Sequence, residues 1–532
     1  MKAPRSCRQC RGSKRKCTRP GPGEPCDSCK RRRLQCGSDL RRRLPGHELD
    51  ENDPENRRDS VSSLKSGDNS TPLLPGLSRE MAVEFVEYYL GKVHGRPHCI
   101  FHPGTVRAQL RNGSMGNGLL YALCAIGSKF SPLPDRRVLE SCLTAEAKRI
   151  VQADLENVCI ENIQACVLLA LLSASNCQTS SAALFARVAT SMSEVIHLDS
   201  QLENSPVIVR ETSLRIWWSL YVIDRWCFSG LGLPRHMDYV DICSPLPMDD
   251  FTFDSLAYDQ ITLKAPCQPG IFAHMITLVH QFGPIQDINR TIAKGSMDAT
   301  ELGQRVEHIE RRLESWRETL PADIQMTVQN LHSQQQDGQG GPFVALHLAY
   351  HHFSTLLYFH FLEKQQSTSS ASGAYVSRCK SHAASFSSLL HLSRQMKGCE
   401  PNYPTVAHMT TVSSSVLVHT LLFGDLQELQ KARRDLNMNF EGLLELQKYW
   451  PLTEVMIDWL IAFQKTCLLS TESQRLDGWM VRFLLEHSLG LQQRDTSLFT
   501  PNVDVQPENV LSKAKQLTAL GRYTDFLSFQ SD

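Results

Sequence analysis

The 532-residue chain has no long apolar run. Spanning a bilayer takes about 18 to 20 apolar residues in succession, and the longest candidate, residues 166–174, is much shorter. The amino terminus carries Lys2, Arg5 and Arg8 with no apolar segment behind them, unlike a secretory signal. These absences predict a protein without a membrane segment in a reducing compartment, where its 18 cysteines do not form a disulfide framework.

Motifs of the common enzyme classes are also missing. The sequence has no Gly-rich phosphate loop, no G-x-S-x-G elbow and no dinucleotide fingerprint. His347 and His351 are spaced for one helix face, but no acidic third ligand accompanies them in the E-x-x-H manner, so we interpret them as ordinary core or surface histidines. Asp224 and Arg225 follow an apolar stripe and are predicted to form a buried or partly buried ion pair. The chain is therefore predicted not to be an enzyme.

The charge of the chain is unevenly distributed. The formal net charge is zero, with 56 basic and 56 acidic residues. Residues 1–45 hold 15 basic against 3 acidic residues, a net of +12, which leaves −12 for the remainder. A basic head on an acidic body predicts a polyanionic partner for residues 1–44. Residues 45–78 are rich in Pro, Gly, Ser, Asn and Asp, a composition that predicts a flexible linker.

The remaining sequence has the periodicity of helices and no strand-like alternation. The clearest pattern covers about 210–226, where Leu214, Trp217, Trp218 and Tyr221 form an apolar stripe. Further helices are expected over 270–293, 302–319, 343–363, 380–396, 404–432 and 451–490. Residues 331–342 and 365–374 are expected to be flexible loops. We divide this body into a helical middle domain, 79–265, and a helical carboxy-terminal extension, 266–532.

Six cysteines form the pattern C-x2-C-x6-C-x8-C-x2-C-x6-C, in which one C-x2-C-x6-C block occurs twice. The predicted metal ligands are Cys7, Cys10, Cys17, Cys26, Cys29 and Cys36. Zinc prefers four tetrahedral ligands, and thiolates suit it. Two separate sites would need eight ligands, so six suffice only if two sulfurs bridge both ions. The duplication indicates Cys7 and Cys26 as the bridging pair, and the predicted cofactor is two Zn²⁺ per chain.

Other interpretations of the cysteines remain open at this point. Two C-x2-C pairs could hold one zinc with two spare thiols, or be redox-active, although neither explains the duplication. The segment is too short to fold on a core of its own, so metal binding would supply its folding free energy. The other twelve cysteines, such as Cys124, Cys159, Cys166 and Cys227, show no such pairing and are interpreted as small buried apolar residues.

Basic residues surround the cysteine blocks. Four of the six positions between Cys10 and Cys17 are basic, a density that neutralises DNA phosphates and allows contacts to base edges. A solvated surface or a nuclear import signal would have the same composition. A rigid zinc scaffold beneath these residues favours DNA contact.

At these residues the sequence resembles the fungal binuclear zinc cluster family of transcription factors. The resemblance implies that Lys14, the fourth residue after Cys10, reads a CGG-type triplet in the major groove. It implies that nearby basic residues contact phosphates, and we assign Arg8, Arg11, Arg15 and Lys16 to this group.

A second resemblance covers roughly residues 79–265. The string RETSLRIWWSLYVIDRWCFSGLGLPRHMDYVDICSPLP, residues 210–247, is similar to the middle homology region of that family, and ARVATSMSEVIHLD, residues 186–199, is similar to the helix before it. The resemblance implies an all-α protein with a small two-zinc cysteine module followed by a large helical regulatory domain. It further implies a nuclear regulator of RNA polymerase II genes, in a family that commonly controls metabolic or specialised-metabolite gene sets.

The expected partners are double-stranded DNA, the transcription machinery or coactivators, and a second copy of the chain, with no membrane. The acidic-aromatic stretches 248–259 and 523–532 are candidate coactivator sites or else ordinary surface segments. Residues 37–78 contain no heptad run, which leaves two alternatives: the protein binds DNA as a monomer, or it pairs through its helical body. Two rivals remain: an enzyme or small-molecule sensor built on the body, and a regulator that acts through protein contacts, for which Gly12 and Ser13 in the basic block are the argument.

Overall fold

The computed structural model describes residues 17–18, 26–31, 74, 76–198, 205–228, 233–238, 240, 245–263, 268–293, 297–362 and 370–469. The chain divides into two compact units, Met1–Asp68 and Asn69–Asp532. In the smaller unit, the described residues contain one short helix, α1 (Asp27–Arg31), which begins directly after Cys26.

The described part of the larger unit is helical, and its only β pairing is an isolated bridge between Met248 and Pro269. Its first eight helices are α2 (Arg79–Lys92), α3 (Pro103–Asn112), α4 (Asn117–Ser128), α5 (Arg136–Ala153), α6 (Ile160–Ser175), α7 (Thr179–Val195), α8 (Val207–Ile223) and α9 (Asp250–Asp254). The others are α10 (Ile271–Ala293), α11 (Ala299–Thr319), α12 (Val328–Gln336), α13 (Gly340–Tyr358), α14 (Ser370–Arg394), α15 (Thr405–Phe423), α16 (Leu426–Gln447) and α17 (Leu452–Leu469). A π-helical turn, Asp224–Phe228, continues α8, and a 3₁₀ turn, Phe359–Leu362, continues α13. The predicted all-helical body is confirmed for these ranges.

Three predicted boundaries are wrong. The expected loop 331–342 consists mostly of α12 and the start of α13: the Thr327 hydroxyl caps α12 by accepting from the Asn330 N–H at 3.0 Å, and Leu331 is fully buried. The Ser-rich stretch 365–374 already contains the start of α14. The single helix expected over 404–432 is two helices, because Asp425 and Glu428 form a capping box that begins α16.

One apolar core extends through the larger unit from α2 to α17. Helix α8 lies inside this core and not on its surface: Trp218 is fully buried, and its indole N–H donates to the Pro245 carbonyl at 2.9 Å. The sequence predicted one apolar stripe along α8, but nearly all faces of the helix are buried by the surrounding protein.

Helix α15 corrects a second expectation from the sequence. By length and composition it is apolar enough to cross a membrane, although its apolar residues are interrupted by Ser, Thr and His. In the fold, 89% of its apolar window is buried among other helices, which is the position of a core helix.

The crossing of α4 over α2 supplies a test of this packing. A Cβ atom at Gly127 would overlap the carbonyl oxygen of Phe85, which is backbone and cannot move aside. We expect Gly127→Ala to lower the free energy of unfolding by about 1–3 kcal/mol or more. Gly91→Ala is the matched control, because no atom lies within 4 Å of the added Cβ; it should raise stability by about 0.4–1 kcal/mol. Urea unfolding of the full chain measures both, and equal effects would contradict the close helix crossing.

Candidate zinc centre and regulatory domain

Three of the six predicted zinc ligands lie together in the smaller unit. Cys26 and Cys29 are buried against each other, and the partly buried Cys17 packs against them. The Cys29 N–H lies 3.5 Å from the Cys26 sulfur, to which it donates. The three sulfur-bearing side chains therefore form one small cluster that joins the two cysteine blocks.

The backbone explains why the two cysteine blocks meet here. The Asp27 N–H donates to the Thr18 carbonyl at 3.1 Å, which ties the residue after Cys26 to the residue after Cys17. The Lys30 N–H then donates to the Cys26 carbonyl at 2.9 Å, so that α1 starts at this cysteine. Chain connectivity and these bonds bring the end of the first block to the start of the second.

The ligand type of this cluster fits zinc, because Cys17, Cys26 and Cys29 supply soft sulfur atoms, but the three are not placed as a finished ligand set. Within the described ranges no group of three or more potential ligand residues is arranged to hold a metal ion. The other predicted ligands, Cys7, Cys10 and Cys36, lie outside the described residues. The predicted DNA contacts also lie outside them: Arg8, Arg11, Lys14, Arg15 and Lys16.

In the larger unit, the string WWSLY belongs to α8, which also carries a buried arginine that the sequence did not single out. Arg215 donates through Nε to Glu211 at 2.8 Å and through Nη1 to Asp250. Its Nη2 donates to the Met248 carbonyl at 2.7 Å, and its guanidinium lies 4.1 Å from the Phe253 ring centroid. Arg215 thus ties α8 to the acidic-aromatic segment around α9. Its position among the apolar residues LRIWW was the available signal.

Asp224, at the end of α8, forms a second buried polar centre. Its carboxylate accepts from the backbone N–H groups of His236 at 2.9 Å and Met237 at 3.1 Å. Arg187 and Arg225 lie 3.4 and 3.5 Å from its oxygens. Because Asp224 is fully buried, these bonds satisfy a charge that would otherwise be costly. The predicted Asp224–Arg225 ion pair is confirmed, and it fixes the segment that follows the π-helical turn.

The histidines of α13 are core residues. His347 Nε2 lies 2.9 Å from the Ile324 carbonyl oxygen, and His351 Nδ1 lies 3.0 Å from His382 Nδ1. Burial lowers the pKa of His347 to about 4 and that of His351 to about 3. Both are neutral at physiological pH, which confirms the structural interpretation of this pair.

Five of the eight described cysteines outside the cluster are buried as predicted, whereas the prediction is wrong for Cys142 and Cys177, which are exposed. Cys124 and Cys166 are fully buried, and burial raises the pKa of both thiols. Cys159 is only partly buried, and the side chain of Cys227 lies outside the described residues. Buried neutral thiols of this kind are packing residues.

A cavity of about 270 Å³ opens beside the Arg215 network. Cys99 and Asp250 form part of its wall, and Glu87 and Arg107 form a two-bonded ion pair beside it, at 2.7 and 2.8 Å. Cys99 is buried, and burial raises the pKa of its thiol to about 12. A protonated thiol is a poor nucleophile, so Cys99 is a packing residue in the wall of this cavity.

Comparison with known proteins locates a recognisable domain. Residues 87–318 match the profile described as the fungal specific transcription factor domain. The chain is 23% identical over 333 residues to the uncharacterized transcriptional regulatory protein C1327.01c of Schizosaccharomyces pombe. The aligned region covers 56% of this chain and 34% of that protein. It is 21% identical to the Zn(2)-C6 fungal-type transcription factor FTF1c of Fusarium oxysporum f. sp. lycopersici, over 73% of this chain and 46% of that one.

The nitrogen assimilation transcription factor nit-4 of Neurospora crassa is 24% identical, over 71% of this chain and 34% of its own length. The chain thus spans between about a third and a half of the length of these relatives. The matches confirm the resemblance to fungal zinc-cluster regulators. The matched domain and these relatives are described as transcription factors or transcriptional regulators, which is the class of protein that the sequence predicts.

Proposed function

We propose that this chain, a relative of the fungal Zn(2)-C6 transcription factors that carries the fungal specific transcription factor domain, is a nuclear, zinc-dependent regulator that binds double-stranded DNA. In this proposal residues 1–44 bind DNA, 45–78 form a linker, and 79–265 with 266–532 form the regulatory body. The observation that carries it is the packing of Cys17, Cys26 and Cys29, which agrees with the duplicated cysteine spacing. Regulation of RNA polymerase II genes, including metabolic or specialised-metabolite genes, is the proposed output.

The proposed mechanism begins with the ligands Cys7, Cys10, Cys17, Cys26, Cys29 and Cys36. These cysteines would hold two Zn²⁺ ions, with Cys7 and Cys26 shared between them, and metal binding would supply the folding free energy of the module. The rigid basic segment between Cys10 and Cys17 would then enter the major groove. Lys14 would contact a base of a CGG-type triplet, and Arg8, Arg11, Arg15 and Lys16 would contact phosphates and set the register.

The separate roles of Lys14 and Arg15 can be tested with the full chain and duplexes in which each base pair of a CGG triplet is replaced in turn. We expect Lys14→Ala to lose about 1–3 kcal/mol of discrimination at one base pair. Arg15→Ala should weaken every duplex similarly and reduce the slope of log affinity against log salt by about 1.

The matched control is Arg311→Ala, because Arg311 is an exposed residue of α11 far along the chain from the basic module. It should leave both affinity and discrimination unchanged. Similar losses from Lys14→Ala and Arg15→Ala on every duplex would contradict the assigned roles.

Coactivator binding is proposed for the acidic-aromatic segment around α9. Phe253 and Leu256 are buried against Val207 and Ile208 of α8 in a small separate cluster. Phe251 of the same segment is 81% exposed. A segment anchored on one side with an exposed aromatic on the other offers a hot spot of the kind that partner proteins use. The second stretch, 523–532, lies outside the described residues, and a homodimer through the body stays a proposal.

A further inference from the structure

A basic cavity lies where the start of α5 meets the turn between α16 and α17. Its volume is about 210 Å³. Lys129, Arg136, Arg137 and Lys448 line it together with a single carboxylate, Glu140. Four cations against one carboxylate leave an excess of three positive charges.

Glu140 neutralises only the innermost of these cations. Lys129 is buried, and its Nζ lies 2.8 Å from Glu140 Oε1 and 5.2 Å from the centroid of the Trp450 ring. Asn176 donates to the same carboxylate at 2.9 Å. Burial lowers the pKa of Lys129, and the positive charges of Arg137 and Arg136 lower it further, against the opposing effect of Glu140.

None of the other three cations forms an ion pair among the described residues; the charge of Lys448 helps to lower the pKa of Glu445, but that carboxylate is already bonded to Arg394 at 2.7 Å. Arg136 donates through Nη1 to the Ser131 carbonyl at 3.1 Å and through Nη2 to the Lys448 carbonyl at 3.0 Å. These neutral acceptors fix the guanidinium in place without cancelling its charge. Arg137 and Lys448 are exposed at the mouth, where they can reach a bound molecule.

The backbone adds to this positive field. Arg136 and Arg137 are the first residues of the 18-residue helix α5, and the N-cap residue Asp135 makes no side-chain capping bond. The amino end of a helix carries a partial positive charge and N–H groups that favour anions. Tyr449 also lines the cavity, and its ring centroid lies 4.7 Å from that of Phe130 with the two rings tilted by 33°.

We propose that this cavity binds a compact multivalent anion, a small metabolite bearing phosphate or several carboxylates. The volume lies below the roughly 300–1,000 Å³ typical of sites for drug-sized ligands, so a small, highly charged molecule fits better than a large one. The occupant would lie between α5, within residues 87–318 of the matched domain, and the α16–α17 turn beyond that domain. Binding would therefore hold these two parts of the regulatory body together. The inference does not depend on DNA binding by residues 1–44.

The test is isothermal titration of the full chain with sodium pyrophosphate and, separately, sodium citrate, at constant ionic strength set by sodium chloride. We expect saturable binding of at least one probe. Arg137→Gln and Lys448→Gln should each weaken it about tenfold or more, because each removes an unneutralised charge next to the ligand. Arg136 is left intact, since it also holds two backbone carbonyls.

Arg311→Gln is the control variant and should bind like the unaltered chain. Binding of pyrophosphate alone, or of citrate alone, that is lost in the cavity variants supports the proposal and identifies the anion class. Equal affinity in all variants would mean that anions bind basic residues elsewhere, and it would overturn the proposal. So would the absence of binding to both probes up to 10 mM, roughly the limit of weak physiological affinity.

Discussion

Replacing Arg215 with methionine is expected to lower the free energy of unfolding of the larger unit by about 3–5 kcal/mol. The side chain is fully buried, and two carboxylates depend on it: Glu211 is 5% exposed, and the Asp250 side chain is 16% exposed. Methionine fills a similar volume but leaves both charges without a cation in a poorly solvated site. The loss would also release the Met248 carbonyl, and with it the attachment of the acidic-aromatic segment to α8.

The effect should depend on pH in a definite direction. Burial raises the pKa of Glu211, and Arg215 opposes that rise. Without Arg215 the folded-state pKa of Glu211 moves further above its unfolded value, so folding of the variant takes up a proton. The stability that this proton uptake contributes is lost as pH rises through the folded-state pKa of Glu211. The deficit of Arg215→Met relative to the unaltered chain should therefore be smaller at pH 5 than at pH 8, as measured by thermal unfolding midpoints.

Arg305→Met is a matched control, because Arg305 and Glu301 form an ion pair with the same four-residue spacing on α11 but with both side chains about half exposed. Exposed pairs of this kind contribute about 0–1 kcal/mol. The loss of unfolding free energy in Arg215→Lys should lie between those of Arg215→Met and Arg305→Met, because one ammonium group cannot replace the three directed contacts of the guanidinium. If Arg215→Met and Arg305→Met had equally small effects, the buried network would not stabilise the fold as described.

Local sequence patterns predicted much of the fold because helices are local structures. The period of apolar residues placed α10 and α11 within a few residues of their observed limits. The division between α15 and α16 also has a local signal in the sequence, since Gly424 is followed by Asp425 and Glu428, the residues of a capping box. By contrast, α12 is poor in apolar residues and rich in glutamine, and it is stabilised by the Thr327 cap and by Leu331, which is buried in the apolar core.

The candidate functional residues also fall into those that local sequence predicts and those that only the tertiary fold reveals. The six predicted zinc ligands are concentrated in 30 residues, so their spacing alone predicts a metal site. The Arg215 network and the basic cavity join residues far apart in sequence; the bond from Arg136 to the Lys448 carbonyl spans 312 positions. No periodicity or motif relates such residues, since only the tertiary fold brings them together.

Substituting the proposed bridging cysteine is expected to have the largest effect of any single change in the amino-terminal module. If Cys26 is shared, Cys26→Ser removes a ligand from both zinc ions, whereas Cys29→Ser removes a ligand from one. Apparent binding free energies of structural zinc are on the order of 10–16 kcal/mol, so loss of both ions should unfold the module. The unaltered full chain should contain two zincs and bind a CGG-containing duplex, and Cys26→Ser should contain none and lose DNA binding.

The comparison between the two cysteines is what distinguishes a shared cluster from a single site. Cys29→Ser should retain part of the zinc under the shared arrangement, because one ion keeps all four of its ligands. Cys142→Ser is the control, since Cys142 is an exposed cysteine of α5 outside the duplicated blocks, and it should keep both metal and DNA affinity. One zinc in the unaltered chain would refute the shared arrangement. Duplex binding that survives complete chelation would remove the reason for linking these thiolates to DNA recognition, because the basic residues would then need no metal scaffold to act.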